Sequence, residues 1–184
     1  MNESNCGWHF HDEYSKRYHD ERWCKVVHDD HELFAILIME MMSVGLSWSL
    51  ILKREEGLRK TIDHLDPEEI ANYDEKKEEE LLLNPYIIKN RRKIHAMVNN
   101  AKAFLKVQEE FTSFDRYIWS FTSFKVIDHQ VRDIKEVPTV SDLSIQVSKD
   151  LKKRGFTFLG PTIVYSFMQS IGIYNDHTIT CPYR

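Results

Sequence analysis

The sequence predicts an all-α fold, and three observations carry that prediction. Apolar residues recur at helical spacing through most of the chain, cap-type residues stand just ahead of those segments, and no internal repeat, low-complexity tract or Gly/Ser linker interrupts them. At 184 residues, with 42% hydrophobic side chains and only six glycines and five prolines, the chain reads as one globular domain spanning 1–184. A domain of this size buries roughly two-thirds of its unfolded surface, so its core alone can hold it folded.

Residues 1–28 are rich in His, Trp and Tyr and weakly periodic, with a helical turn or two around Glu13 to Tyr18. They read as an arm laid over a core. Asp29 or Asp30 caps a helix that is apolar almost all round through Leu33, Phe34, Ile36, Leu37, Ile38, Met41 and Met42, the pattern of a buried helix ending near Gly45. A second helix starts at Ser47 with Trp48, Ile51 and Leu52 and turns charged from Lys53 to Lys60. Asp66-Pro67-Glu68-Glu69 is a helix start with a cap, proline at the first helical position and acids in the first turn. Short acidic helices then run to Leu83, and Asn84-Pro85 breaks the chain. The longest helix follows, with Ile87, Ile88, Ile94, Met97, Val98, Ala101, Phe104 and Leu105 at helical spacing. Phe114 to Phe121 predicts a short aromatic helix, and 125–138 a loop or frayed extended segment. Ser141 or Asp142 caps a helix carrying Leu143, Val147 and Leu151, which Gly155 ends.

The net charge of −4 argues against a protein that coats nucleic acid by bulk attraction, but the charge is unevenly placed. Acids dominate from Asp66 to Glu80, whereas the charged residues from Lys89 to Lys106 are all basic; Lys149, Lys152, Lys153 and Arg154 form a second basic cluster. Either run alone reads as a solvated helix face. No apolar run approaches a membrane span, and the N-terminus has no signal-peptide core, so the expected location is cytoplasmic. Three widely spaced cysteines, Cys6, Cys24 and Cys181, favour thiols or metal ligands over a disulfide framework.

Three constellations can carry chemistry. The first is Gly155-Phe156-Thr157-Phe158-Leu159-Gly160 followed by Pro161-Thr162, a glycine-bracketed turn leading into a new helix. Backbone N–H groups and the positive end of a helix dipole suit a phosphate there, and Lys152, Lys153 and Arg154 would add counterion-releasing contacts. A helix-hairpin-helix unit grips the DNA backbone in this way without reading sequence, and a plain connection between two helices has the same spacing. The second is His177 and Cys181, four positions apart, which Cys6 and His19 would complete as a Cys2His2 set; a core thiol and a surface histidine are the alternative. Four protein ligands leave no position for water, so a zinc ion held there is structural. The third is Glu40, a carboxylate inside an apolar helix, near Trp8, Tyr18, Trp23 and Trp48 in the first quarter of the chain. It must face a cavity or a partner, and a carboxylate beside stacking rings suits a flat cation such as an alkylated purine.

Several strings are long and unusual: CGW at Cys6, YHDERW at Tyr18, GLSW at Gly45, KNRRKIHAMVNNAKAF at Lys89, LKKRGFTFLGPT at Leu151, and YSFMQ through NDH to Cys181. In this order they resemble the bacterial DNA-3-methyladenine glycosylase I family over nearly the whole chain. The resemblance implies a helix-hairpin-helix DNA glycosylase fold, with the hairpin unit at 150–172 and the terminal segments 1–28 and 174–184 tied by zinc. It implies a monomeric enzyme that flips 3-methyladenine out of double-stranded DNA and hydrolyses its N-glycosidic bond. Zinc ligands then match Cys6, His19, His177 and Cys181; the base-recognising glutamate matches Glu40; Tyr18 and Trp48 match the base pocket, and Trp8 and Trp23 aromatics in or near it. The family lacks the usual catalytic aspartate of helix-hairpin-helix glycosylases; Asp176 sits where one would be sought but, beside His177, equally suits orienting a zinc ligand, and it is not taken as the base.

The chain departs from the family pattern at three places. Ser43-Val44 stands where a Gln-Ala pair is usual, Cys24 follows Trp23 where glycine is usual, and Tyr86 replaces a glycine before the Ile-Ile pair. The first two fall near the proposed pocket. Two other readings compete: a DNA-binding module with a decayed pocket, and a zinc-stabilised interaction protein whose basic runs are only solvated faces.

Overall fold

The computed structural model describes residues 6–184; the part of the arm before Cys6 lies outside the described residues. The all-α expectation is borne out, with one small addition. Among the described residues there are nine α-helices and a single two-residue parallel pairing.

The core is built around α2 (Asp30–Ser43), in which every residue from Leu33 to Met42 is buried. It is surrounded by α3 (Trp48–Thr61), the long α6 (Arg91–Phe111), the short aromatic α7 (Phe114–Ser120) and α9 (Pro161–Ser170). Caps start these helices where the sequence places them. Asp29 accepts from Glu32 N at 2.8 Å for α2, and Ser47 accepts from Leu50 N at 3.3 Å for α3. The acidic helices α4 (Pro67–Ala71) and α5 (Glu75–Leu83) pack on α6.

The start of α6 differs from the sequence expectation. Asn90 caps it by accepting from Lys93 N at 3.2 Å, so Ile87 and Ile88 are buried in the irregular segment ahead of it. Their apolar spacing continues the helical pattern by coincidence, because both reach the core from a turn and the irregular backbone after it. Segment 125–138 is mostly irregular. Its Ile127–Asp128 (β1) pairs parallel with Tyr174–Asn175 (β2).

The arm is fixed at both ends of α1 (Glu13–Glu21). At its start Asp12 caps the helix, accepting from Tyr14 N at 3.0 Å and Ser15 N at 3.1 Å, and also accepts from the Ser49 hydroxyl of α3 at 2.7 Å. The Ser49 hydrogen bond is the largest reason its carboxyl is held down at about 2. Beyond α1, the chain runs over the end of α9. Cys24 N donates to Gln169 O at 3.0 Å and Val27 N to Ile171 O at 3.1 Å. Gly172 makes this approach possible: at φ +77° a Cβ there would lie 2.5 Å from the Lys25 carbonyl carbon.

The hairpin joins α8 (Asp142–Lys153) to α9. Gly155, at φ +95°, ends α8, while Phe156 and Leu159 point into the core. Two asparagines of α6 hold the loop. Asn99 Nδ2 donates to Gly155 O at 2.6 Å; Asn100 donates to Thr157 O at 3.0 Å and accepts from Thr157 N at 2.8 Å.

Candidate active site

Cys6, His19, His177 and Cys181 come together as a fully buried cluster in which one ligand atom of each lies within 4.8 Å of the others. Cys181 Sγ is 3.2 Å from His177 Nδ1 and 3.7 Å from His19 Nε2; Cys6 Sγ is 3.8 Å from His177 Nδ1. Donors on a tetrahedral ion with bonds of ~2.0–2.3 Å stand about 3.5 Å apart, so the spacing fits. The other nitrogen of each ring is already engaged. His177 Nε2 meets the Trp23 carbonyl at 3.1 Å and His19 Nδ1 the Asp20 carboxylate at 2.8 Å. These partners fix the tautomers that turn a lone pair toward the sulfurs, as second-sphere groups do around bound metals. The set is therefore a Cys2His2 metal-site constellation that joins the two ends of the chain. His9, which sequence reasoning passed over, stacks on His19 at 3.7 Å between ring centroids, and burial lowers its pKa to about 4.

Beside this cluster opens a pocket of about 440 Å³. Trp8, Tyr18, Trp23, Glu40 and Trp48 all line it, so the structure gathers every base-site residue that the sequence singled out. The rings stand on edge to one another, with centroids 5.1 Å apart for Trp8–Trp23 and 5.4 Å for Tyr18–Trp48. Glu40 is buried at 4% exposure, and burial raises its pKa to about 7. Its side-chain partner is a residue the sequence did not flag: Ser170 at the end of α9 donates to Glu40 Oε1 at 2.7 Å and is itself 2.7 Å from the Tyr18 hydroxyl. Only the fold could find Ser170, since a serine at a helix terminus carries no functional signal.

One departure from the family pattern falls in the pocket and a second in the buried cluster behind it. Ser43 lines the pocket and donates to the Glu40 carbonyl at 2.7 Å. Cys24 adopts φ +59°, a left-handed conformation that glycine takes without strain, and its buried thiol accepts from Asp176 N at 3.4 Å.

Asp176 does not contact His177 through its carboxylate. It is fully buried and takes hydrogen bonds from His129 Nδ1 at 2.5 Å, Tyr165 OH at 2.8 Å and Gln169 Nε2 at 2.7 Å. His129 thereby ties the irregular 125–138 segment, which supplies Ile134, Val137 and Pro138 to the pocket, onto α9.

The basic residues divide. Lys152 and Lys153 are exposed beside the hairpin, as is Arg92, whose guanidinium lies 5.6 Å from the Phe158 ring centroid. Arg154 differs: it pairs with Glu110 and Asp150, both at 2.7 Å, and covers the Phe111 and Tyr117 rings. Its charge is used inside the fold. In the other basic run Arg91 pairs with Glu79, and Lys93 is buried, donating to the Met42 carbonyl at 2.8 Å and the Val44 carbonyl at 2.6 Å. Lys93 thus closes the end of α2 and holds the turn leading to Trp48.

Thr162 lines the pocket mouth from the first turn of α9, two residues after Gly160. A Cβ on Gly160 would meet nothing within 4 Å, so the loop faces open space there. Hairpin and pocket are thus consecutive stretches of one surface. The class this defines is a helical, helix-hairpin-helix protein with an aromatic, carboxylate-bearing pocket sized for a small flat ligand.

Comparison with known proteins narrows the class. The methyladenine glycosylase family model matches residues 8–184. The chain is 40% identical over 165 residues to a DNA-3-methyladenine glycosylase of Haemophilus influenzae, covering 90% of this chain and 89% of that one. It is 38% identical over 176 residues to DNA-3-methyladenine glycosylase 1 of Escherichia coli, covering 96% and 94%. Its fold superposes with a TM-score of 0.94, at 35% identity, on 3-methyladenine DNA glycosylase I of Staphylococcus aureus, covering 97% of this chain and 95% of that one. A 3-methyladenine DNA glycosylase I solved in complex with 3-methyladenine gives a TM-score of 0.95 at 35% identity, covering 100% and 97%. The chain belongs to the methyladenine glycosylase family.

Proposed function

We propose that the protein removes 3-methyladenine from alkylated double-stranded DNA by hydrolysing the bond between the base and its sugar. The observation that carries this reading is Glu40, a carboxylate buried among aromatic rings, with one oxygen held by Ser170 and the pocket on its other side. A neutral ligand would gain little from that charge, whereas a purine methylated at N3 is a cation. The lesion is also a good leaving group, so extruding and holding it is most of the task.

In this reading Tyr18, Trp48, Trp8 and Trp23 enclose the flipped base, and Glu40 accepts hydrogen bonds from its edge. Its negative potential also favours the electron-poor sugar that forms as the C1′–N9 bond loosens. The bonding pair leaves with N9, neutralising the base; water adds to C1′ and releases a proton, leaving an abasic site. The backbone of Gly155 to Thr162, with Lys152 and Lys153, holds the phosphates beside the flipped nucleotide. Arg154 braces the end of α8 through Asp150 and Glu110. Cys6, His19, His177 and Cys181 hold a structural zinc ion, with no ligand position left for chemistry.

The test is release of free 3-methyladenine from methylated duplex DNA by the wild type and by Glu40→Gln, in single turnover. Release by the wild type and its loss in the variant are expected. A wild type that binds abasic-site DNA but releases no base would make the protein a binding module. About one equivalent of zinc in the purified protein, by elemental analysis, is the matching expectation for the metal; another metal or none would overturn the zinc assignment.

A further inference from the structure

The hydrogen atoms at the closed end of the pocket can be assigned by counting. Ser170 has one proton and two partners, Glu40 Oε1 and the Tyr18 oxygen, each at 2.7 Å. A cationic base in the pocket favours the ionised form of Glu40, which only accepts, so the Ser170 proton goes to Glu40. The contact with Tyr18 must then use the Tyr18 proton, and the phenol oxygen is left with lone pairs alone to offer a ligand.

The neighbouring donors are drawn the same way. Tyr165 and Gln169 donate to Asp176 Oδ2 at 2.8 Å and 2.7 Å, and Ser43 donates to the Glu40 carbonyl at 2.7 Å. The Trp48 indole N–H is buried without a hydrogen-bond partner among the described residues. Glu40 Oε2 makes no hydrogen bond within the described residues. Asp176 and Glu40 thus draw the Tyr165 and Ser170 protons and one of the two Gln169 amide protons away from the ligand.

We propose that Ser170 is a positioning residue that sets the polarity of the base pocket: by donating to Glu40 it compels Tyr18 to donate to Ser170, and the closed end presents acceptors to the purine. Such a wall takes an edge bearing N–H groups, as at the 6-amino position of an alkylated adenine. It opposes a 6-oxo group, whose lone pairs would meet lone pairs. Ser170 therefore selects 3-methyladenine over 3-methylguanine, two cationic bases that charge alone does not separate. This inference rests on the glycosylase reading above.

The experiment is the ratio of single-turnover release rates for 3-methyladenine and 3-methylguanine from one methylated duplex, for wild type, Ser170→Ala and Ser170→Thr. In Ser170→Ala the Tyr18 proton is free to point at a carbonyl. The ratio should fall by about tenfold, the effect of one hydrogen bond gained or lost. Ser170→Thr retains the hydroxyl and should restore the ratio. In a Tyr18→Phe background, Ser170→Ala should leave the ratio where Tyr18→Phe alone puts it, because the proton being directed is gone. Equal losses for both bases in Ser170→Ala, whatever its melting temperature, would overturn the proposal. Should the alanine variant not fold, Ser170→Cys, a much weaker donor of similar size, takes its place. A wild type that releases neither base would overturn the glycosylase reading itself, which separates the two failures.

Discussion

In the proposed reading the two ends of α9 bind by opposite means. At its N-terminus, Gly160, Pro161 and Thr162 present backbone to open space next to Lys152 and Lys153. Toward its C-terminus, Tyr165, Gln169 and Ser170 face the aromatic pocket, with the Tyr165 proton and one Gln169 proton donated to Asp176 and the Ser170 proton donated to Glu40. The first end needs no side-chain detail, because phosphates are alike along a strand and a helix terminus with nearby cations suffices. The second depends on where single protons go, because a base is recognised by its edge. One ten-residue helix carries both, so in the proposed reading holding the backbone and holding the base are set at a fixed distance from each other.

This contrast can be broken at either end, and the Cys2His2 cluster beside the pocket gives the largest effect. Cys6→Ser removes a ligand from a site that joins both chain termini. It should abolish stoichiometric metal binding and lower the thermal midpoint by roughly 10 °C, read by calorimetry with parallel metal analysis. DNA-backbone binding by the hairpin, which contributes no residue to the cluster, should suffer less than binding of free base.

Glu40→Gln should next reduce base release by about 10² to 10³-fold, the usual effect of removing one electrostatic contributor from a buried site. Retained binding to abasic-site DNA would sharpen the contrast between the two ends; loss of that binding too would break it.

The same variant has a stability signature. The Glu40 pKa stands at about 7 in the fold against 4.5 unperturbed, so folding takes up a proton across that window. Stability from this group is present below pH 4.5 and falls as pH rises to about 7. In denaturant titrations Glu40→Gln should therefore gain stability relative to wild type by about 3 kcal/mol between pH 4.5 and pH 8. A pH-independent difference would show that the carboxyl is not desolvated.

The smallest effect is expected at the hairpin. Lys152→Ala and Lys153→Ala should each lower the salt dependence of DNA affinity by about one unit of slope and leave free 3-methyladenine binding unchanged. Arg154→Ala should chiefly lower the thermal midpoint, since its guanidinium already pairs with Glu110 and Asp150.

Much of this was legible in the residues. The caps at Asp29, Ser47 and Asp66, the all-round apolar pattern of α2 and the Gly155–Pro161 turn follow from local rules that need no tertiary contact. Glu40 stood out because a charge in an apolar helix demands an explanation, and the metal residues because the spacing of His177 and Cys181 suits paired ligands that Cys6 and His19 could complete. Other features were not legible. Ile87 and Ile88 fit a helical pattern but lie outside α6. Lys93 and Arg154 belonged to basic runs, yet one closes α2 and the other pairs with acids from two helices. A charge run records sign and spacing and says nothing of which way each side chain turns.

The sequence by itself determined the helical class, the position of the hairpin, and which residue types are available for a metal cluster and a cationic base. Those depend on periodicity, capping and chemical identity, all of which are local. Only the tertiary structure decided that Ser170 meets Glu40 from 130 positions away and that Asp176 faces Tyr165 and Gln169 rather than its neighbour His177. Hydrogen-bond direction is a property of several groups brought within 3 Å of one another, and the order of residues along a chain does not contain it.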